Sequence, residues 1–419
     1  MNASAFSKRL FWFIVGINFL NYLDRYTLPA VLEPLGRDLA LNDSQRGWLG
    51  SAFLLSYMVA SPVIGMLADR FCRPKIIAVA IALWSLATSL TWFVSSYNEL
   101  LLLRALVGIG EAAYYSLGVA MLCDIIPEKE RAGKLNFFFL AIPVGSAVGF
   151  GLSGVIAQHF GWRMSFLLTG LPGLLFAMGM WFVRDPLRGA NDLIKDTTAA
   201  MSALEKLRFL FTHRIWLVST ACYVAYTFAM GAMTHWSASF LERVHGVSTG
   251  SAGLMFGAMA AITGIVGTFA GGFYTQKMQS KWPNIEAYFS SVTLCIGAIG
   301  VAGFLLLPTL PAIVVSLTIG LVFLFANTTP VNNLTVSQLP ASVRAWGVAI
   351  NVFLIHLFGD AISPEIVGSI SDRAGGDGAA LGRALLITPP AFALSGIILL
   401  LARRKRISNA TGVGVAEAG

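Results

Sequence analysis

Apolar runs of about 20 residues recur along the whole chain, and each is long enough to cross a bilayer core of about 30 Å as a helix. They cover approximately residues 9–31, 46–68, 76–95, 99–123, 135–157, 164–183, 213–240, 250–275, 285–307, 310–337, 344–370 and 382–402. No single soluble core can hide that much apolar surface: of 419 residues 56% are hydrophobic and only 12% are charged, and the mean hydropathy is +0.72. The fold class that follows is all-α integral membrane, with twelve transmembrane helices.

Lys and Arg set the orientation. If both termini face the cytoplasm, the inside segments hold Lys8 and Arg9, then Arg70, Arg73 and Lys75, then Lys129, Arg131 and Lys134, then six between Arg184 and Arg214, then Lys277, Lys281, Arg344 and the RRKR run at 403–406. That is 21 of the 29 basic residues, with Arg25 and Arg104 inside spans, so the positive-inside rule gives a multi-pass protein with cytoplasmic termini. The net charge of +8 is then topology and contact with anionic membrane lipid rather than a nucleic-acid surface. The first apolar run is too long for a cleavable signal and lacks a small-residue cleavage site, so it is expected to stay as a helix. Cys72, Cys123, Cys222 and Cys295 lie in or beside spans without CxxC pairing, which suggests neither disulfides nor a metal site. No cofactor motif appears, and neither HExxH, a Walker loop nor a nucleophile elbow points to an enzyme.

The chain is a doubled six. DIIPEKERAGK at 124–134 matches SQLPASVRAWG at 337–347, laying Pro127 on Pro340, Arg131 on Arg344 and Ala132 on Ala345. One residue further out of step, Gly145 meets Gly359 and Gly154 meets Gly368; a second register lays Gly47 on Gly253 and Gly65 on Gly271. Both registers pair spans of the same orientation, as in two six-helix bundles related by a pseudo-two-fold axis along the membrane normal. The expected organisation is an amino-terminal bundle at 1–184, a cytoplasmic linker at 185–212 with an amphipathic second part, a carboxy-terminal bundle at 213–403 and a tail at 404–419, with a central cavity between the bundles. A monomer is the expected state.

Charge inside the spans is the functional signal. At about 100° per residue, Asn18, Asn21, Asp24 and Arg25 share roughly a third of the first helix's circumference. An isolated charge at mid-membrane costs at least about 2.5–3.5 kcal/mol, so this stripe must face the bundle interior, where it has either partners or water. The bland alternative is an ion pair that fixes helix packing. In the fourth span Arg104, Gly108, Glu111, Tyr115 and Gly118 share a face, with Arg104 and Glu111 about 10 Å apart along the axis, too far to pair cleanly. A crossed arrangement follows, with Arg25 near Glu111 and Asp24 in reach of water or an arginine. Burial favours a neutral carboxyl and an adjacent guanidinium a charged one, so Asp24 can change protonation as its surroundings change, which is what proton coupling requires. Glu111 is the second candidate. Asp360 is the third, four residues after His356 on one face of the eleventh span, where the pair reads equally as a structural hydrogen bond.

GMLADRFCRPK at 65–75 resembles a signature of the major facilitator superfamily, RALVGIGEA at 104–112 is similar to its second motif, and DIIPEKERA fits its next cytoplasmic loop. Within that superfamily, NYLDRYTLPAVL in the first span and HLFGDAISPEIVGSISDR at 356–373 resemble the spinster family. The resemblance implies the major facilitator fold, alternating access and, since spinster proteins are known for carrying lysophospholipids and sphingosine phosphate, an amphipathic lipid-like substrate. It also implies a cytoplasmic gate: Asp69 attracting the amino-terminal end of a helix in the other half, with Arg70 and Arg73 binding acidic partners, and Asp124 and Arg131 at the rim. Asp372 and Arg373 are further rim candidates. Thr275 and Gln276 stand where the repeat places Asp69 and Arg70, so the latch is lopsided.

Glycines at 145, 149, 151 and 154 mark the fifth span as a surface for close helix approach. In the carboxy half, Tyr223, Tyr226, Thr227, Asn327, Asn332, Asn333 and Asn351 are candidate cavity residues, while Phe139, Met230, Trp236, Phe325 and Phe353 suit packing or a tail groove equally. The functional expectation is a proton-coupled carrier in which Asp24, Glu111 and Asp360 handle the proton. Arg25 or Arg104 would meet an anionic headgroup, with Asn21, Tyr115, Tyr226, Asn333, Asn351 and His356 completing the binding site. A carrier of small organic anions shares these features, and a scramblase or non-transporting receptor is the other alternative.

Overall fold

The computed structural model describes residues 3–188, 201–282 and 284–402. Twelve spans run through it. The amino-terminal six are Ala3–Arg25, Asp43–Arg70, Arg73–Leu90, a fourth in two pieces (Tyr97–Ala112 and Tyr114–Ile125), Glu128–Phe160 and Trp162–Trp181. The carboxy-terminal six begin with Arg214–His245, Thr249–Gln279 and Ile285–Leu306. The tenth is broken at Asn327 into Leu310–Ala326 and Thr328–Ser337, and the eleventh runs from Ala341 to Arg373 with an interruption. The twelfth comprises Gly378–Leu385 and Thr388–Leu399. Among the described residues eleven helices are long and apolar enough to cross a membrane. The first is not among them, because Lys8, Arg9, Asp24 and Arg25 lower its apolar content. Lys8 and Arg9 are exposed at its start, whereas Asp24 is buried and Arg25 half-buried at its other end.

Sequence doubling reappears as geometry. A side-chain carbon on Gly47 would lie 2.4 Å from the Pro364 carbonyl oxygen, and one on its repeat mate Gly253 would lie 2.4 Å from the Phe150 oxygen. In the other register, a carbon on Gly154 would approach the Thr249 oxygen to 2.8 Å and one on Gly368 the Asp43 oxygen to 2.2 Å. The four glycines therefore form two equivalent seams between the bundles, span two on span eleven and span five on span eight. Backbone approaches backbone there, as small residues permit where no hydrophobic force drives helices together. Gly145 and Gly149 serve a different contact, against the first span's backbone at Phe19 and Leu23.

At the end opposite the basic loops, charged side chains cross the seam. Arg243 of span seven reaches Glu33 at 2.7 Å and both oxygens of Asp43 at 2.8 and 2.6 Å, and Arg46 reaches Glu33 at 3.2 Å. Asp372 accepts from the backbone N–H groups of Asp43 and Ser44 at 2.9 and 2.8 Å, placing a carboxylate on the start of span two, where the helix dipole favours it. Asp372 is thus a rim residue holding the halves together.

At the basic end Arg73 meets acidic partners. Its guanidinium bonds Asp124 at 2.5 Å, Asp185 at 2.9 Å and the Pro186 carbonyl at 2.8 Å, all in the amino-terminal bundle or its exit strand. With three acceptors converging on it, Arg73 clamps the end of span four to the start of the linker in this conformation. Arg70 is exposed at the end of its helix, Arg131 donates to the Cys123 carbonyl at 2.9 Å, and the side chain of Asp69 lies outside the described residues. The amphipathic part of the linker forms the helix Ala203–Thr212, whose Leu210 is buried against Trp216, Leu339 and Val343 of the carboxy-terminal bundle.

Candidate functional site

The crossed pairing holds. Arg25 Nε and Nη2 both donate to Glu111 Oε2, at 3.0 and 2.7 Å, joining the end of span one to span four. The pair sits where span four breaks: its first piece ends at Ala112, one residue past Glu111, and the second starts at Tyr114. Asp24 points elsewhere, to Thr88 of span three, whose hydroxyl donates to Oδ2 at 2.7 Å, while Oδ1 is buried without a hydrogen-bond partner. Span three carries no charge in its interior, so the sequence held no signal for Thr88.

Arg104 is 3% exposed and, among the described residues, makes no ion pair and leaves its Nε buried without a partner. A buried unpaired cation is costly and marks a functional site or a wet cavity. A cavity of about 200 Å³ lies between the bundles, lined from the amino half by Arg25, Phe53 and Arg104 and from the carboxy half by Met230, His235, His356 and Asp360. Asn21 is buried nearby on the first helix's stripe.

His356 and Asp360 meet as expected, with Nδ1 2.9 and 3.0 Å from the two carboxylate oxygens. Their turn, His356–Asp360, is a π-helix in which the Ala361 N–H donates to the His356 carbonyl at 3.0 Å, and Gly359 has φ −106 and ψ −106. Such a turn opens the helix and is common at functional sites. Gly359 is needed because a side-chain carbon there would fall 2.1 Å from the Thr227 hydroxyl oxygen. His235, which the sequence did not single out, crosses the seam with Nε2 3.0 Å from the Arg46 carbonyl.

Several candidates stand apart from this cavity. Tyr226 is buried in a ring cluster with Tyr223 and Phe392, because span twelve covers that face of span seven. Asn333 is exposed and bonds Glu286 of span nine, turning away from the other bundle. Asn351 is buried with Oδ1 unpartnered, and Tyr115 is 40% exposed, tilted on Phe138. Trp236 belongs to packing: it is fully buried and donates to the Pro364 carbonyl at 2.9 Å.

Two pseudo-symmetric six-helix bundles enclosing a charged central cavity define a membrane transporter. Residues 14–364 match the Major Facilitator Superfamily, and the chain belongs to it. Within that superfamily it is a member of the spinster family. It is 30% identical to Protein spinster homolog 3 of Danio rerio over 85% of this chain and 75% of that protein, and 31% identical to the sphingosine-1-phosphate transporter SPNS2 of Danio rerio over 91% and 81%. The fold superposes on the crystal structure of a bacterial homologue of the human lysosomal transporter Spinster, inward-facing and unoccupied, with a TM-score of 0.82 at 25% identity over 95% of both chains. The relatives are transporters, not enzymes, and this chain is a multi-pass integral membrane protein.

Proposed function

We propose that this transporter couples protons to the movement of an anionic, single-chain amphiphile by alternating access, with both termini cytoplasmic in a bacterial inner membrane and the monomer as the working unit. The observation that carries the reading is that Arg25 and Arg104 line a cavity shared by both bundles, with the buried carboxylates Glu111, bonded to Arg25, and Asp24 behind them. Arg25 has one carboxylate partner, and a proton on Glu111 removes the charge that holds it. The freed guanidinium then turns to a phosphate, for which Arg supplies charge-assisted, bidentate hydrogen bonds. Arg104 offers a second cation on the same wall. Asp24, held only by Thr88 on one oxygen, is the companion proton carrier, and His356 with Asp360 forms the opposing wall. Sphingosine-1-phosphate, which SPNS2 is named for transporting, has this chemistry of one phosphate on one chain.

In this conformation the ion pairs of Arg243 hold the non-basic end together, so loading from the basic, cytoplasmic end precedes their opening. The cavity volume of about 200 Å³ falls below the common range of about 300–1,000 Å³ for ligand sites, which favours as second reading a carrier of small organic anions. Counterflow of radiolabelled lysophospholipid in proteoliposomes, with and without a pH gradient, tests both. Lysophospholipid exchange that grows with the gradient supports the proposal, and exchange of soluble anions alone replaces it with the second reading.

A further inference from the structure

Phe53 of span two is 3% exposed, and its ring lies 5.1 Å from the guanidinium carbon of Arg25 and 5.1 Å from that of Arg104. The two arginines differ in everything else. Arg25 has Glu111, and the rings of Tyr22 and Tyr57 at 5.1 and 5.4 Å. Arg104 feels Asp24 and Glu111 only at a distance, with no carboxylate at ion-pair distance among the described residues, and Phe53 is the ring the structure sets beneath it. The plate itself is held firmly: a side-chain carbon on Gly108 would come within 2.2 Å of the Phe53 carbonyl oxygen, so spans two and four touch there, and Ser56 donates to the same carbonyl at 2.9 Å.

We propose that Phe53 is a positioning residue that holds Arg104 toward the central cavity by its π face, leaving the guanidinium charge available to an anionic headgroup. A carboxylate in that place would fix Arg104 equally well but would cancel its charge. An aromatic face attracts the cation through its quadrupole and adds no net charge, an interaction that strengthens when water is excluded. One ring serving both arginines also keeps two like charges on one wall of the cavity, where a phosphate bearing more than one negative oxygen can engage both. This headgroup role rests on the function proposed above, while the holding of Arg104 does not.

The test compares wild type with Phe53→Leu, Phe53→Met and Phe53→Tyr, each first shown to melt cooperatively and to elute as wild type. Leu and Met keep apolar volume and lose the ring, whereas Tyr keeps it. Reaction of Arg104 with phenylglyoxal, followed peptide by peptide by mass spectrometry, is expected to be several-fold faster in the Leu and Met variants and unchanged in the Tyr variant. For radiolabelled lysophosphatidate in proteoliposomes, the Leu and Met variants are expected to raise KM about thirtyfold, the size of a desolvated cation–π contact, with kcat within about twofold. Equal Arg104 reactivity in all four proteins overturns the proposal, whatever the protein carries. A wild type that does not move lysophosphatidate, with Arg104 reactivity still following the ring, refutes the substrate class and leaves the positioning role standing.

Discussion

The two bundles are repeats of one another in backbone but not in charge. Gly47 and Gly253, and Gly154 and Gly368, occupy equivalent seams, yet Asp24, Arg25, Arg104 and Glu111 are all in the amino-terminal half. The carboxy-terminal half faces them with His356, Asp360 and His235, and carries breaks at Asn327 and at the 356–360 turn. Both halves are interrupted, span four at Ala113 as span ten is at Asn327, so what separates the walls is that one carries two arginines and two carboxylates and the other a single histidine–aspartate pair with a second histidine. The glycines bring the backbones of the two halves together along the seams, and under the proposed function the asymmetry gives one half the chemistry.

If the charged wall is the working part, removing Arg25 has the largest effect. Arg25→Ala is expected to abolish transport and to destabilise the protein by about 3–5 kcal/mol, since it leaves Glu111 buried and unpaired. Replacing both partners, Arg25→Met with Glu111→Leu, is expected to restore the melting temperature and not the transport. Recovery of both would reduce the pair to packing. Asp24→Asn comes next, with exchange of labelled substrate retained and gradient-driven accumulation down at least about tenfold, the scale on which a proton-transfer group acts.

The seam itself is tested at Arg243. Arg243→Ala removes the bonds from span seven to Glu33 and Asp43, leaving both carboxylates with Arg46 alone as cation among the described residues, and is expected to raise labelling from the outside of Thr234→Cys, on the cavity wall, about tenfold in a cysteine-free background, as a shift of about 1.4 kcal/mol gives. The carboxy-terminal wall should matter less: His356→Gln keeps a polar partner for Asp360 and is expected to lower transport about two- to fivefold, as loss of one modest hydrogen bond does. An effect as large as that of Arg25→Ala would erase the contrast between the halves.

The smallest effect belongs to an amino-half charge outside the spans. Asp38 is held below the usual carboxylate range by its hydrogen bond from Arg163, at 2.5 Å. A depressed folded value means that the bond stabilises above the unfolded carboxyl's range near about pH 4 and that this contribution disappears as pH falls through the folded value. Half-exposed and screened, it contributes under about 1 kcal/mol, so Asp38→Asn should lower the melting temperature slightly at pH 7 and not at pH 2.

Much of this was legible in the sequence, for reasons of cost. Charges in membrane helices are expensive enough that Asp24, Arg25, Arg104 and Glu111 stand out, and helix faces alone placed Arg25 near Glu111. Repeated glycines showed the doubling, and the span-five cluster showed a surface for close approach, but which repeat pairs occupy the seams, Gly47 with Gly253 and Gly154 with Gly368, took the fold to show. Thr88, His235 and Phe53 left no such trace, since a hydroxyl, an imidazole or a ring is unremarked in an apolar span until a neighbour gives it work. Arg73 has the acidic partners expected of it, Asp124 and Asp185, but a loop motif states which residues are charged and not which part of the chain supplies their partners in a given conformation. Asn333 and Tyr226 were misplaced because a helix has several buried faces and periodicity cannot name the one turned to the other half.

Proton movement in proteoliposomes bears most directly on the central claim, that carboxylates of the amino-terminal wall exchange a proton as substrate is carried. With a pH dye trapped inside, adding lysophosphatidate to wild type should produce a proton flux proportional to substrate flux, absent in Asp24→Asn and in Glu111→Gln. Substrate flux in wild type with no accompanying proton signal, or a signal undiminished in both variants, would contradict it.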